Sequence, residues 1–158
     1  MNITWNRDHS YMYMLDKPIL CSCVVRNNRN GLRPSRWNPP QDEVVLTIPD
    51  GKPYMPDMFP RGTWKIGRPV ARKHPYKAPY YVPTNATRLV TVWSLDGDGG
   101  YYRPTNETVT DEDYGLHCST SSTTLGCIRI HREEDLTYML NVIWREHEAG
   151  RDVVLEVT

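Results

Sequence analysis

Between Tyr114 and His131 the chain reads Tyr-Gly-Leu-His-Cys-Ser-Thr-Ser-Ser-Thr-Thr-Leu-Gly-Cys-Ile-Arg-Ile-His. Two cysteines, two histidines, six Ser or Thr hydroxyls and an arginine fall within these eighteen positions. A cysteine attacks as its thiolate, so it needs a base or an imidazolium nearby. Cys127 is the candidate nucleophile and His117 the candidate base. Acyl transfer also needs donors aimed at the developing oxyanion. Gly126, directly before Cys127, lets the backbone turn tightly and present N–H groups beside the sulfur. Arg129 can hold a carboxylate with both prongs of its guanidinium. The plain alternative for the same stretch is a strand, a turn and a strand with one small buried thiol and solvated Ser and Thr.

The other reactive side chains have quieter readings. Cys118 alternates to the strand face opposite His117. That makes it a buried bystander, or else a partner for Cys127 in a regulatory disulfide. Cys21 and Cys23 share one strand face, which fits core packing better than a zinc half-site. His131, between the motif and the next helix, reads as a capping or surface residue before a second base. Taken together, His117, Cys118, Cys127 and His131 make a conceivable zinc set, but neighbours on a strand diverge. The run at 96–100, Asp-Gly-Asp-Gly-Gly, imitates a calcium loop. Tyr101 stands where that loop needs glycine, so a hairpin turn is expected. Asn2, Asn85 and Asn106 open Asn-x-Thr sequons, which matter only on a secretory route. The basic cluster at 68–74, with Tyr76, Tyr80 and Tyr81 after it, is a solvated loop or a contact for glycan and acidic peptide.

Elements must hold these groups in place. Residues 12–25 read as two short strands around a turn at Asp16-Lys17-Pro18. Residues 26–40 are rich in Asn, Arg, Gly and Pro and read as a surface loop. A β-branched run at 44–48 predicts a strand, and 49–53 a turn. Residues 61–67 have strand composition. Prolines at 69, 75, 79 and 83 predict a long aromatic-lined loop over 68–83. Residues 88–95 make the best candidate for a central strand. The stretch 105–113 is simply polar. Only 133–147 has helical period: Leu136, Met139, Leu140, Ile143 and Trp144 fall on one face. Glu133, Glu134 and Asp135 complement the helix dipole, and Gly150 stops the helix. A closing strand follows at 152–157. The expected fold is mainly β, a bent sheet or sandwich with one packed helix near the C-terminus.

The whole chain, 158 residues, suits a single domain over 1–158. Its 19 basic and 19 acidic residues balance to zero. That argues against non-specific nucleic-acid binding, which needs a cationic face. No run of 18 apolar residues exists to insert in a membrane. Four cysteines are too few for a disulfide scaffold. The N-terminus lacks the basic region and apolar run of a signal peptide, so synthesis in the cytoplasm is expected.

The motif resembles the active-site signature of the L,D-transpeptidases of the YkuD type. That signature pairs a histidine after a Tyr-Gly-Ile/Leu strand with a Ser/Thr-x-Gly-Cys-Ile/Val-Arg stretch. Here these are Tyr114-Gly115-Leu116-His117 and Thr124-Leu125-Gly126-Cys127-Ile128-Arg129. Phe59-Pro60-Arg61-Gly62-Thr63-Trp64 is similar to the family's Thr-Pro-x-Gly-Thr-Phe/Tyr strand. The helix and closing strand also match, so the likeness spans roughly 44–157 and is most specific over 114–143. Residues 1–43 stand outside it, as N-terminal strands and loop of no assigned role. Nine residues separate His117 from Cys127, which is similar to the short-gap branches found among phage proteins and secreted effectors. Cys118 replaces the glycine that usually follows the histidine, and Leu125 stands where many members carry a polar residue.

The resemblance implies an enzyme acting on peptidoglycan stem peptides, without cofactor or metal. Cys127 would attack an acyl carbonyl and His117 would take its proton and then assist the leaving amine. A backbone carbonyl would orient His117 through its other ring nitrogen. Gly126 and Cys127 N–H groups would hold the oxyanion. Arg129 would order the loop or bind a carboxylate, and Thr124 would shape the turn. Water would then release a shortened stem, or an amine would form a cross-link or exchange product. With no leader, delivery to the wall by phage lysis or a secretion machine is expected, which favours hydrolysis. The alternatives are a non-catalytic binding or structural module on the same fold, and a small zinc protein.

Overall fold

The computed structural model describes residues 1–24, 58–72, 76–95, 102–119 and 126–158. The loop expected at 26–40, the strand at 44–48 and the turns at 49–53 and 96–100 lie outside them, as do Thr124 and Leu125.

The chain opens with a meander. β1 (Asn2–Trp5), β2 (Tyr11–Met14) and β3 (Lys17–Ser22) alternate strictly, with Ile3, Trp5, Met12, Met14, Ile19 and Cys21 inward. Such alternation is what a sheet with one buried face requires. The β2–β3 turn is the pair Leu15-Asp16, at φ 49° and 63°. It lies one residue earlier than expected, with Lys17 and Pro18 already in β3. A two-residue turn with both φ values positive matches the twist of a hairpin. Pro18 sits at the start of β3, where β2 alone is its partner; β10 joins only at Cys21 and Ser22.

After β4 (Gly62–Lys65), the stretch expected to be a loop forms two strands instead, β5 (Val70–Ala71) and β6 (Tyr76–Pro83). The prolines do bar a helix but not this strand. Pro79 falls where the pairing register shifts, between Tyr76 and Tyr81, so its missing N–H breaks no regular ladder. β7 (Arg88–Leu95) is a strand as expected, but it is not central. It pairs with β8 (Tyr102–Asp111), the polar stretch, in a separate two-stranded sheet. Val90, Val92 and Trp93 bury its apolar side while Leu89 is exposed.

β9 (Gly115–Ser119), β10 (Ile128–Ile130), α1 (Glu133–Glu148) and β11 (Val154–Val157) complete the order. The main sheet, among the described residues, runs β4-β11-β1-β2-β3-β10-β9-β6-β5. The fold is mainly β, a curled sheet with one C-terminal helix. β1–β3, from the tract without an assigned role, stand in its middle and join β11 to β10. α1 packs on β6, β9 and β10. Leu136, Met139, Leu140, Val142 and Ile143 form its buried stripe. At its end Gly150 (φ 73°) donates to the His147 carbonyl and Arg151 to that of Glu146, two carbonyls that would otherwise lack partners. No helix of the described residues is long and apolar enough to cross a membrane.

Candidate active site

The motif occupies two adjacent parallel strands. Ile128 stands opposite Leu116 and Arg129 opposite His117. Ile128 and Ile130 are fully buried, as are Leu116 and Cys118, and they fill the core under the sheet. Cys127, Arg129 and His131 are partly exposed and take the alternate face. Tyr81 pairs with His117 from β6, and Ser22 pairs with Arg129 from β3. One row across four strands is therefore Ser22, Arg129, His117, Tyr81. Cys127 lies two residues before Arg129 on the same face, in line with Gly115. The structure thus gathers His117, Cys127 and Arg129 on one side of β9 and β10.

Local geometry at the sulfur is set by the segment 111–115. The buried Tyr114 hydroxyl donates to the buried Asp111 carboxylate, and its ring meets Phe59 edge-on at 5.6 Å. Asp113 adopts φ 68°, a left-handed conformation open to aspartate. Its carbonyl accepts the Tyr81 hydroxyl at 2.8 Å and faces the Cys127 thiol at 3.7 Å. The Tyr81 hydroxyl is also 3.9 Å from the Cys127 sulfur. Gly115 makes this possible. A Cβ there would collide with the tip of the Tyr81 ring and with the Val82 carbonyl. Arg72 lies over that ring, 4.3 Å from its centroid.

On the core side, Gly126 has φ 121° and is buried, a conformation that favours glycine. Its carbonyl accepts the Cys23 thiol at 3.3 Å, and the Cys23 sulfur in turn accepts the Phe59 N–H at 3.4 Å. Cys23 is thus a core residue, as expected, that also fixes the residue before Cys127.

Electrostatics leave the pair neutral at rest. Burial, then the charges of Arg129 and Arg72, push His117 down to about 4. A neutral imidazole is available as a base at neutral pH. Burial pushes the Cys127 thiol up, and the Asp113 charge pushes the same way. A hydrogen bond with the Gly115 backbone, one with the Tyr81 hydroxyl and the Arg72 charge oppose that rise. These shifts favour a neutral thiol and a neutral imidazole over a thiolate–imidazolium pair.

The other candidates fall elsewhere. Cys118 is fully buried in the core, on the face away from His117. That divides the four-residue zinc set between the two sides of the sheet. No group of three or more possible ligands occurs among the described residues. His131 is not the helix cap, which is Arg132; its Nε2 pairs with the Ser22 hydroxyl at 2.8 Å. The sequence puts Arg72 and Tyr81 in a basic, tyrosine-bearing loop, either solvated or in contact with glycan and acidic peptide, and gives neither a place at Cys127. The signal for Tyr81 was Gly115, since a glycine inside a strand marks a close approach. No protein-family model, curated protein or solved structure matches the chain.

Proposed function

We propose that this protein is a cysteine-dependent enzyme on peptidoglycan stem peptides, of the L,D-transpeptidase type in fold and chemistry. The observation that carries the reading is the placement of Cys127 and His117 on one face of two adjacent parallel segments, with Arg129 beside His117 and facing Ser22 of β3. The positive φ of Gly126 and the helix directly after β10 also suit the resemblance.

In this reading the Cys127 sulfur attacks the acyl carbonyl while its proton passes to His117. The carbonyl oxygen becomes an oxyanion facing the Gly126–Cys127 backbone. Collapse breaks the C–N bond, His117 returns the proton to the leaving amine, and a thioester remains on Cys127. Arg129 offers a charge-assisted contact to a substrate carboxylate. Water then gives hydrolysis, or an amine gives transfer.

The test incubates peptidoglycan fragments with the wild type, Cys127→Ala and His117→Gln, with products resolved by mass. Shortened stems report hydrolysis and new dimers report cross-linking. Both are expected to vanish in Cys127→Ala. Unchanged turnover in that variant overturns the proposal. A carbapenem adduct on Cys127 alone supports it. A second reading, a binding module, is favoured by the resting neutrality of the thiol and imidazole. Stem-peptide binding with no acyl adduct would select it.

A further inference from the structure

We propose that Tyr81 is a further catalytic residue of this site, a hydroxyl donor that turns from the Asp113 carbonyl to the Cys127 sulfur as the thiol loses its proton. The inference rests on Cys127 being a nucleophile, not on the substrate it attacks.

The geometry carries it. Tyr81 is 6% exposed, the tip of its ring fills the space where Gly115 has no side chain, and the Arg72 guanidinium lies 4.3 Å from the ring centroid. The hydroxyl is therefore held in place and is free only to rotate its hydrogen. Two acceptors lie within that rotation, the Asp113 carbonyl at 2.8 Å and the Cys127 sulfur at 3.9 Å. The thiol itself points at the same Asp113 carbonyl, at 3.7 Å. While sulfur carries its proton, it is a weak acceptor, and the carbonyl is the better partner for Tyr81. Once the proton has moved to His117, sulfur carries the negative charge. Hydrogen bonds to charged groups are the stronger kind, so the O–H then favours sulfur. The proton of Tyr81 stays on its oxygen throughout; only its acceptor changes. With the Gly115 N–H, this gives the thiolate two donors in a buried setting that otherwise disfavours charge. The arrangement also explains why a tyrosine, rather than a phenylalanine, is laid over the glycine that opens β9.

The test measures alkylation of Cys127 by iodoacetamide against pH in the folded protein, followed by peptide mass. Tyr81→Phe keeps the ring and removes the donor. Its rate at neutral pH is expected to fall about tenfold, with the midpoint moved to higher pH and the high-pH plateau unchanged. A role confined to packing would lower the plateau or the melting temperature and leave the midpoint in place. As a second arm, a ring-fluorinated tyrosine at 81, a stronger donor of the same shape, is expected to move the midpoint to lower pH. A midpoint that stays put in both proteins overturns the proposal. Alkylation needs no peptidoglycan, so a failure of the substrate reading leaves this result standing, and the reverse also holds.

Discussion

Protonating His117 should cost this protein stability between its free value of 6.5 and its folded value of about 4. The side chain is 6% exposed and lies beside Arg129, with Arg72 near by. Burial and those two charges hold its folded value at about 4, against 6.5 for the free side chain. The sign follows from which state binds the proton first. As pH falls through 6.5 the unfolded chain takes up a proton that the folded chain refuses, so the folded state loses ground. The stabilisation is complete above the unfolded value and lost as pH falls to the folded one. Across that whole window the linkage amounts to about 3 kcal/mol. Between pH 7 and pH 5 it amounts to about 2 kcal/mol.

Urea unfolding of the wild type and His117→Gln at those two pH values isolates the effect, because glutamine does not titrate. The wild type is expected to lose about 2 kcal/mol more than the variant. Arg129→Met removes one of the two charges, so it should shrink the difference and raise the His117 midpoint seen by NMR. Equal pH dependence in the wild type and His117→Gln, or a His117 midpoint near 6.5, would refute the reasoning.

Two further outcomes follow from the same face. Gly115→Ala must shift either the Tyr81 ring or the β6 backbone at Val82. A loss of about 2 kcal/mol is expected, or a melting temperature lower by about 4–8 °C by calorimetry; an unchanged melt contradicts the packing. Brief iodoacetamide treatment of the native protein should label Cys127, the partly exposed thiol, and spare Cys21, Cys23 and Cys118, which are buried. Cys21 is doubly protected, since burial lifts its thiol to about 12. Peptide mass showing Cys118 labelled at the rate of Cys127 would contradict the two-faced β9.

The helix and the closing strand were legible because their signals are local. A stripe at steps of three and four, an acidic first turn and Gly150 fix α1 with no help from elsewhere. The reading of 68–83 as loop failed because proline content speaks to one ladder at a time. β6 keeps a strand by shifting register around Pro79, a choice its partner β9 permits. Residues 88–95 looked central from apolar content alone, yet nothing local distinguishes a middle strand from one arm of a hairpin. β1 was missed for the opposite reason. Asn2-Ile3-Thr4-Trp5 is too short to announce itself, and its place comes from β2 just after it and from β11 at the far end of the chain. In the site, the residue types at 117, 126, 127 and 129 pointed to the chemistry. Tyr81 and Cys23 were invisible in that role, because each acts through a contact made only when distant strands meet.

Gly115 shows how packing and chemistry impose one constraint here. Burial raises the Cys127 thiol and lowers the His117 imidazole. Burial alone would leave a thiol too reluctant to ionise and an imidazole too reluctant to accept its proton. Donors at the sulfur lessen the first difficulty, and two of them depend on position 115: its own N–H, and the Tyr81 hydroxyl that its missing side chain admits. Any side chain at 115 removes the second donor by displacing the ring. It also strains the β6–β9 pairing that keeps His117 beside Tyr81. A single hydrogen atom in place of a methyl therefore serves the fold and the surroundings of the Cys127 sulfur at once.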